Sequence, residues 1–94
     1  MELHGRVVVV TGGASGIGAA CARAFCEEGA TVAVADVNVE GARAVADDIG
    51  AIAVSCDVGR EEDVGALVKT CETELGEIDL FFSNAAVATG GDPI

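Results

Sequence analysis

Four short runs of hydrophobic residues, many of them β-branched, alternate along the chain with three longer segments whose apolar residues recur at helical spacing. A continuous apolar run is typical of a strand in a parallel sheet, because helices bury both faces of such a sheet. The pattern therefore predicts the order β-α-β-α-β-α-β. The predicted strands span residues 6–11, 31–36, 51–55 and 78–83.

Residues that commonly begin or end helices bound the three predicted helices. The first helix opens in a glycine-rich turn and is expected to end at Gly29, a left-handed cap. Asn38 is the predicted N-cap of the second helix, which stops at Gly50. Gly59 is predicted to cap the third helix and Gly76 to end it.

Each predicted helix carries one apolar stripe that would pack against the sheet. The stripe residues are Ile17, Ala20, Cys21, Ala24 and Phe25 in the first helix, Ala42, Val45, Ala46 and Ile49 in the second, and Val64, Leu67, Val68, Cys71 and Leu75 in the third. Alternating strands and helices with right-handed connections specify an α/β fold with a parallel sheet. We predict part of a doubly wound, Rossmann-type domain with strand order 3-2-1-4, two helices on one face and the third on the other.

The composition narrows the function and the cellular setting of this 94-residue chain. The formal net charge is -11 and the five basic residues are scattered, so a nucleic-acid-binding surface is not expected. No apolar run approaches the roughly 20 residues that span a bilayer, and no membrane association is expected. The N-terminus lacks the basic flank of a signal peptide, so we expect a cytoplasmic protein.

The cysteines and the single histidine do not form a metal-binding pattern. Cys21, Cys26, Cys56 and Cys71 lack the CxxC spacing of a zinc site, and His4 lies in the N-terminal tail. We therefore expect no metal and interpret the cysteines as small apolar core residues.

The turn after the first strand is the strongest candidate for a binding site. It reads Thr11-Gly12-Gly13-Ala14-Ser15-Gly16-Ile17-Gly18. A helix N-terminus presents unpaired N–H groups and a partial positive charge, and glycines let the backbone approach a bound anion. The turn therefore predicts a site for a dinucleotide pyrophosphate, and it lacks the lysine of a triphosphate-binding loop. The predicted contact residues here are Gly12, Ser15, Gly16, Ile17 and Gly18.

Acidic residues follow the second and third predicted strands, where the carboxyl ends of parallel strands line the ligand crevice. Asp36, beside Val37, is placed to accept hydrogen bonds from the adenosine ribose hydroxyls. Its carboxylate would repel a 2′-phosphate, so the expected cofactor is NAD rather than NADP. Asp57 and Val58 are predicted to contact the adenine amino group and ring, although a solvated acid at a strand end is the alternative for both aspartates.

These motifs together resemble the short-chain dehydrogenases/reductases. The family's Thr-Gly-x-x-x-Gly-x-Gly is similar to residues 11–18, its ribose-binding acid to Asp36, and its adenine-contacting pair to Asp57-Val58. Its Asn-Asn-Ala-Gly turn after the fourth strand corresponds to Ser83-Asn84-Ala85-Ala86, with serine for the first asparagine and alanine for the glycine. The resemblance adds Asn84, Ala85 and Ala86 to the predicted cofactor-binding residues.

The resemblance implies an oxidoreductase that transfers hydride between NAD and an alcohol or ketone. The family uses a tyrosine as general acid/base and a lysine four residues later, but this sequence has no tyrosine and its one lysine, Lys69, lies in a predicted helix. We therefore expect no catalytic residue here, and interpret residues 1–94 as a partial dinucleotide-binding domain, inactive alone. The full-length protein is expected to be a homo-oligomer with a small-molecule substrate.

Two other functions fit parts of the pattern. A stand-alone, non-catalytic dinucleotide-binding or interaction module would need another chain to cover its open sheet edge. A methyltransferase-type site for S-adenosylmethionine would also use a glycine turn and an acid after the second strand. Dinucleotide or S-adenosylmethionine binding to the purified protein would discriminate among these functions.

Overall fold

The structure, a computed structural model, describes residues 2–84. Four strands and three helices alternate in the predicted order. The strands are β1 Val7–Thr11, β2 Thr31–Asp36, β3 Ile52–Ser55 and β4 Leu80–Ser83. The helices are α1 Gly16–Glu27, α2 Val39–Ile49 and α3 Glu61–Glu74.

The strands form one parallel sheet in the order β3-β2-β1-β4, as predicted. Three strands are shorter than predicted because neighbouring residues make other hydrogen bonds. Arg6, just before β1, donates its N–H to the Leu3 carbonyl (2.9 Å). Ala51 donates its N–H to the Ala46 carbonyl and so completes the end of α2 instead of beginning β3. Asp79, just before β4, accepts the Val7 N–H on its side chain (2.9 Å).

Two apolar clusters lie on opposite faces of the sheet, as the connection rules predicted. On one face, α1 and α2 cover alternate residues of β1 and β2; the buried members of this cluster are Val8, Val10, Ala22, Ala30, Val32, Val34, Ala42 and Ala46. On the other face, α3 covers the intervening strand residues; its buried members are Val9, Ala33, Ala35, Cys56, Leu67 and Cys71. Strands buried on both faces explain why β1 and β2 are apolar throughout.

The predicted stripe of α1 is partly wrong. Ile17, Ala20 and Ala24 are exposed, whereas Gly18 and Ala22 are the buried residues of this helix. Apolar residues occur all round α1, so their spacing does not identify the buried face. At the start of α1 only Gly18 packs inward, because it lies against the backbone of Gly12, whereas Phe25 and Cys26 pack against the cluster further along the helix. The stripes predicted for α2 and α3 are buried or half-buried as expected.

The predicted ends of α2 are confirmed, and those of α1 and α3 are shifted by one residue. The C-caps are Glu28 in α1 and Leu75 in α3, each followed by the predicted glycine with a positive φ (Gly29 90°, Gly76 109°). Asn38 caps α2 by accepting the Gly41 N–H (3.0 Å), and Gly50 ends it in a left-handed conformation (φ 75°). The N-cap of α3 is Arg60 rather than Gly59, and Arg60 makes no side-chain cap bond. Asp63, in the first turn of α3, accepts the Asp57 N–H instead (3.0 Å).

Two of the four cysteines are core residues, as predicted. Cys56 and Cys71 are buried, whereas Cys21 and Cys26 are half-buried. Burial raises the pKa of the Cys56 thiol, and the nearby carboxylates of Asp63 and Asp57 raise it further. Burial likewise raises the pKa of Cys71. Within residues 2–84, no helix is both long and apolar enough for a bilayer, and no three metal-ligating side chains come together.

Candidate functional site

A cavity of about 670 Å³ opens at the carboxyl ends of β1 and β2, beside the residue that follows β4. Carboxyl strand ends are where ligands bind in open α/β sheets. The lining residues are Gly12, Ser15, Gly16, Ile17, Asp36, Val37 and Asn84. Each of these residues is among those predicted from the sequence to bind the cofactor, and the fold brings them together from three separate parts of the chain.

Close backbone packing gives the glycine turn its shape. Gly12 has a positive φ of 67°, a conformation that side chains rarely adopt. A Cβ at Gly18 would overlap the carbonyl oxygen of Gly12 and come within 3.0 Å of Asn84 Nδ2. The first turn of α1 therefore lies directly against Gly12, and only glycine fits at position 18.

Ser15 connects the turn to the helix. Its hydroxyl donates to the Gly12 carbonyl (2.8 Å) and accepts the Gly18 N–H (3.4 Å), as an N-cap does. Asn84 Nδ2 donates to the same hydroxyl oxygen (3.2 Å) and lies 3.5 Å from the Gly12 carbonyl oxygen. The segment after β4 thus helps to hold the turn in place.

The N–H groups of Gly16 and Ile17 are donors that the turn leaves open to the cavity. Gly18 bonds to Ser15, and Ala19 donates to the Ser15 carbonyl (2.7 Å). Among residues 2–84, neither Gly16 nor Ile17 meets a backbone or side-chain acceptor for its N–H. Both residues line the cavity, at the helix end where the dipole favours an anion.

Asp36 ends β2 with both carboxylate oxygens already hydrogen-bonded. Oδ2 accepts the Ala14 N–H (3.0 Å), and Oδ1 accepts the Asn38 N–H (3.0 Å). An ionised carboxylate has about four acceptor positions, so each oxygen can still accept a bond from a ligand in the cavity. The side chain therefore lies at the cavity wall in a fixed orientation.

The turn after β4 departs from the family pattern at Ser83, whose hydroxyl accepts a hydrogen bond from the buried Thr11 hydroxyl (3.4 Å). This contact joins the ends of β4 and β1, so the serine retains part of what an asparagine could do there. Ala85 and Ala86, also predicted to contact the cofactor, lie outside the described residues.

Asp57 and Val58 lie outside the cavity lining. Asp57 Oδ1 accepts the Gly59 N–H (2.9 Å), and Val58 is half-buried against the α3-side cluster. They follow β3, which lies two strands from β1, and adjacent strands are about 4.8 Å apart. Their proposed contact with adenine stays a prediction.

Two features of the site were not predicted. A Cβ at Gly13 would overlap Cγ1 of Val34, and the Ala14 N–H is the partner of Asp36. Gly13 and Ala14 are the variable positions of the glycine motif, so the motif gives them no role. Since Val34 pairs with Val10 in the sheet, strand register would have placed it below this turn.

Residues 6–94 match the family model described as short chain dehydrogenase. The chain belongs to the short-chain dehydrogenase family. It is similar to "Tropinone reductase-like 1" of Erythroxylum coca, with 43% identity over 91 residues, covering 95% of this chain and 34% of the relative. The chain spans about a third of the length of the curated relatives it matches.

Solved structures of similar proteins confirm the predicted fold class. A hydroxysteroid dehydrogenase from Escherichia coli has a TM-score of 0.88 and 32% identity, covering 98% of this chain and 43% of that one. A 3-ketoacyl-(acyl-carrier-protein) reductase from Brucella melitensis, complexed with NADH, has a TM-score of 0.82 and 38% identity, covering 84% and 34%. The family is one of oxidoreductases with a nicotinamide dinucleotide cofactor.

Proposed function

We propose that this chain is the cofactor-binding portion of an NAD-dependent oxidoreductase that transfers hydride between the nicotinamide ring and an alcohol or ketone. One observation supports the proposal above the others. The cavity at the carboxyl ends of the strands is lined by residues from the glycine turn, the end of β2 and the segment after β4, which are the segments that carry the family's motifs.

The open N–H groups of Gly16 and Ile17 would hold the pyrophosphate. They point from a helix N-terminus, where partial positive charge and unpaired donors favour a phosphate. Asp36 would accept hydrogen bonds from the adenosine ribose hydroxyls with its remaining lone pairs. The side chains of Ile17 and Val37, 72% and 65% exposed at the cavity, would give the adenosine part an apolar surface.

A preference for NAD over NADP follows from the charge at Asp36. The 2′-phosphate of NADP would lie beside a carboxylate, and like charges placed together cost free energy. No basic residue lines the described cavity to offset that repulsion. NAD carries a hydroxyl at the same position, which can donate to Asp36.

The hydride-transfer chemistry itself belongs to the bound nicotinamide, and this chain's residues would bind and orient the dinucleotide. The 94 residues contain no tyrosine, the family's general acid/base. We propose that the catalytic tyrosine and lysine of the active enzyme, and its substrate contacts, lie outside this segment. The chain by itself would then bind the cofactor without turning over a substrate.

Calorimetric titration of the purified protein tests the proposal. We expect saturable binding of NAD, and binding of NADP weaker by about tenfold or more because of the charge repulsion at Asp36. S-adenosylmethionine serves as the control ligand and is expected not to bind. Equal affinities for NAD and NADP would refute the preference assigned to Asp36. Binding of S-adenosylmethionine but not of NAD would refute the proposed function.

A further inference from the structure

We propose that Asp36 is also a positioning residue for the glycine turn, through the hydrogen bond that its carboxylate accepts from the Ala14 N–H. The inference rests on the proposed dinucleotide site. Asp36 would then have two roles, since it would contact the ribose and also hold the turn. The second role would support pyrophosphate binding even for a ligand with no ribose hydroxyls.

The end of β2 holds two successive N–H groups of the turn. Gly13 donates to the Ala35 carbonyl (3.1 Å), which continues the hydrogen bonding between β1 and β2 past Thr11. Ala14 then donates to Asp36 Oδ2 (3.0 Å), and this bond is partly buried. The turn is thereby tied to the neighbouring strand just before it enters α1.

The two tied N–H groups are unavailable to a phosphate, but they direct the donors that remain. Gly16 and Ile17 follow Ala14 by two and three residues, so the path of the backbone at Ala14 sets where their N–H groups point. Within residues 2–84, Ala14 N–H has no acceptor other than Asp36. Without that carboxylate, a partly buried donor would be left unsatisfied, which favours a different path for the turn.

The second oxygen makes the carboxylate a fixed support. Asp36 Oδ1 accepts the N–H of Asn38, the N-cap of α2, so the second carboxylate oxygen is also held by the backbone. A charged acceptor makes stronger hydrogen bonds than a neutral one. The bond to Ala14 and a contact with a ribose hydroxyl can coexist, because each carboxylate oxygen has two acceptor positions.

A pair of ligands separates the two actions of Asp36. ADP has the ribose hydroxyls and the diphosphate, whereas 2′,3′-dideoxy-ADP keeps the diphosphate and lacks the hydroxyls. We expect Asp36→Ala to lower the affinity for 2′,3′-dideoxy-ADP by about tenfold, because the turn loses one charge-assisted hydrogen bond. The loss for ADP should be larger, because the ribose contact disappears as well.

Asp36→Asn and Asp47→Ala are the matched controls. Asp36→Asn is as neutral as Asp36→Ala, yet its amide oxygen can still accept one N–H, so its loss for 2′,3′-dideoxy-ADP should be only about threefold. Asp47 is an exposed acid on α2, and Asp47→Ala removes one negative charge away from the turn without changing binding. If Asp36→Ala does not fold, the comparison of Asp36→Asn with wild type carries the test.

The outcomes distinguish this inference from the proposed function. If Asp36→Ala lowers the affinity for ADP but not for 2′,3′-dideoxy-ADP, then Asp36 acts through the ribose alone. This result would overturn the inference and leave the proposed cofactor site intact. Equal losses of 2′,3′-dideoxy-ADP binding in Asp36→Ala and Asp36→Asn would show that an amide acceptor at position 36 does not support the turn, and would also overturn the inference. If wild type binds neither ligand, the proposed function fails, and the inference fails with it.

Hydrogen exchange gives an independent readout in the absence of ligand. The Ala14 amide should be protected in wild type and exchange about tenfold faster in Asp36→Ala, while core amides of β1 keep their protection. Faster exchange throughout the sheet would instead indicate a general loss of stability and would count against a positioning role.

Discussion

Two turns of this protein join a strand to a helix at the same edge of the sheet, and they are held in different ways. The turn between β1 and α1 is hydrogen-bonded to distant parts of the chain: Ala14 donates to Asp36, 22 residues away, and Asn84 donates to two residues that lie 69 and 72 positions away. The turn between β3 and α3 is closed by Asp57 and Asp63, which bond within 2 and 6 residues.

The difference shows which turn depends on the rest of the fold. A turn closed by local side chains can form with its own helix, as a capping interaction does. The turn before α1 also has local bonds at Ser15, but it gains further support once β2 and Asn84 are in place. Preorganisation of this kind reduces the ordering cost of binding, and it occurs at the turn that lines the cavity.

The largest expected effect comes from filling the space at Gly18. Gly18→Ala would push a methyl group into the Gly12 carbonyl, and we expect it to lower the free energy of unfolding by about 3 kcal/mol. Urea denaturation followed by circular dichroism measures this. Gly65→Ala is the matched control: its Cβ meets nothing within 4 Å, so it should stabilise the protein by about 0.5–1 kcal/mol. Equal stabilities of the two variants would contradict the close packing at Gly12.

The second largest effect is expected for Gly16→Ala, which should change cofactor binding without changing stability. Gly16 lines the cavity, and a Cβ there meets nothing within 4 Å of the protein. Gly16→Ala should therefore leave the unfolding free energy within about 0.5 kcal/mol of wild type. Because the methyl group would stand where the pyrophosphate approaches, NAD affinity should fall by about tenfold. Calorimetry on the folded variant checks this, and unchanged affinity would place the phosphate elsewhere.

The smallest effect is expected at the locally closed turn. Asp63→Ala removes the acceptor of the Asp57 N–H and a negative charge from the first turn of α3, so it should cost about 1 kcal/mol of stability. NAD affinity should change by less than about threefold, since this turn lies outside the cavity lining. A large loss of NAD affinity in a folded variant would instead support the predicted contact of Asp57 and Val58 with adenine.

Features that follow from local sequence were mostly predicted, whereas contacts with distant parts of the chain were not. The apolar runs located the strands, and the connection rules predicted their order. β2 has the predicted bounds because its central residues, buried on both faces, form a continuous apolar run. The glycine spacing and the acid after β2 located the cavity lining, since both occupy the carboxyl edge of the sheet.

Interactions between elements set the limits of that prediction. The exposure of Ile17 and the burial of Gly18 follow from how closely α1 approaches Gly12, which helical spacing alone does not encode. Gly13 lies against Val34, and Ala14 donates its N–H to Asp36, so both contacts depend on the neighbouring strand β2. The N-cap of α3 at Arg60 was missed because Arg60 makes no side-chain cap bond and is not a residue type that favours this position.

The bond between Asp36 and Ala14 has a consequence for protein engineering. A redesign of this chain towards NADP would begin by removing the Asp36 carboxylate, which we propose repels the 2′-phosphate. That substitution alone would also take away the acceptor of the Ala14 N–H. A useful redesign therefore needs a neutral side chain at position 36 that still accepts from Ala14, such as asparagine or serine, with the positive charge for the phosphate supplied from another position.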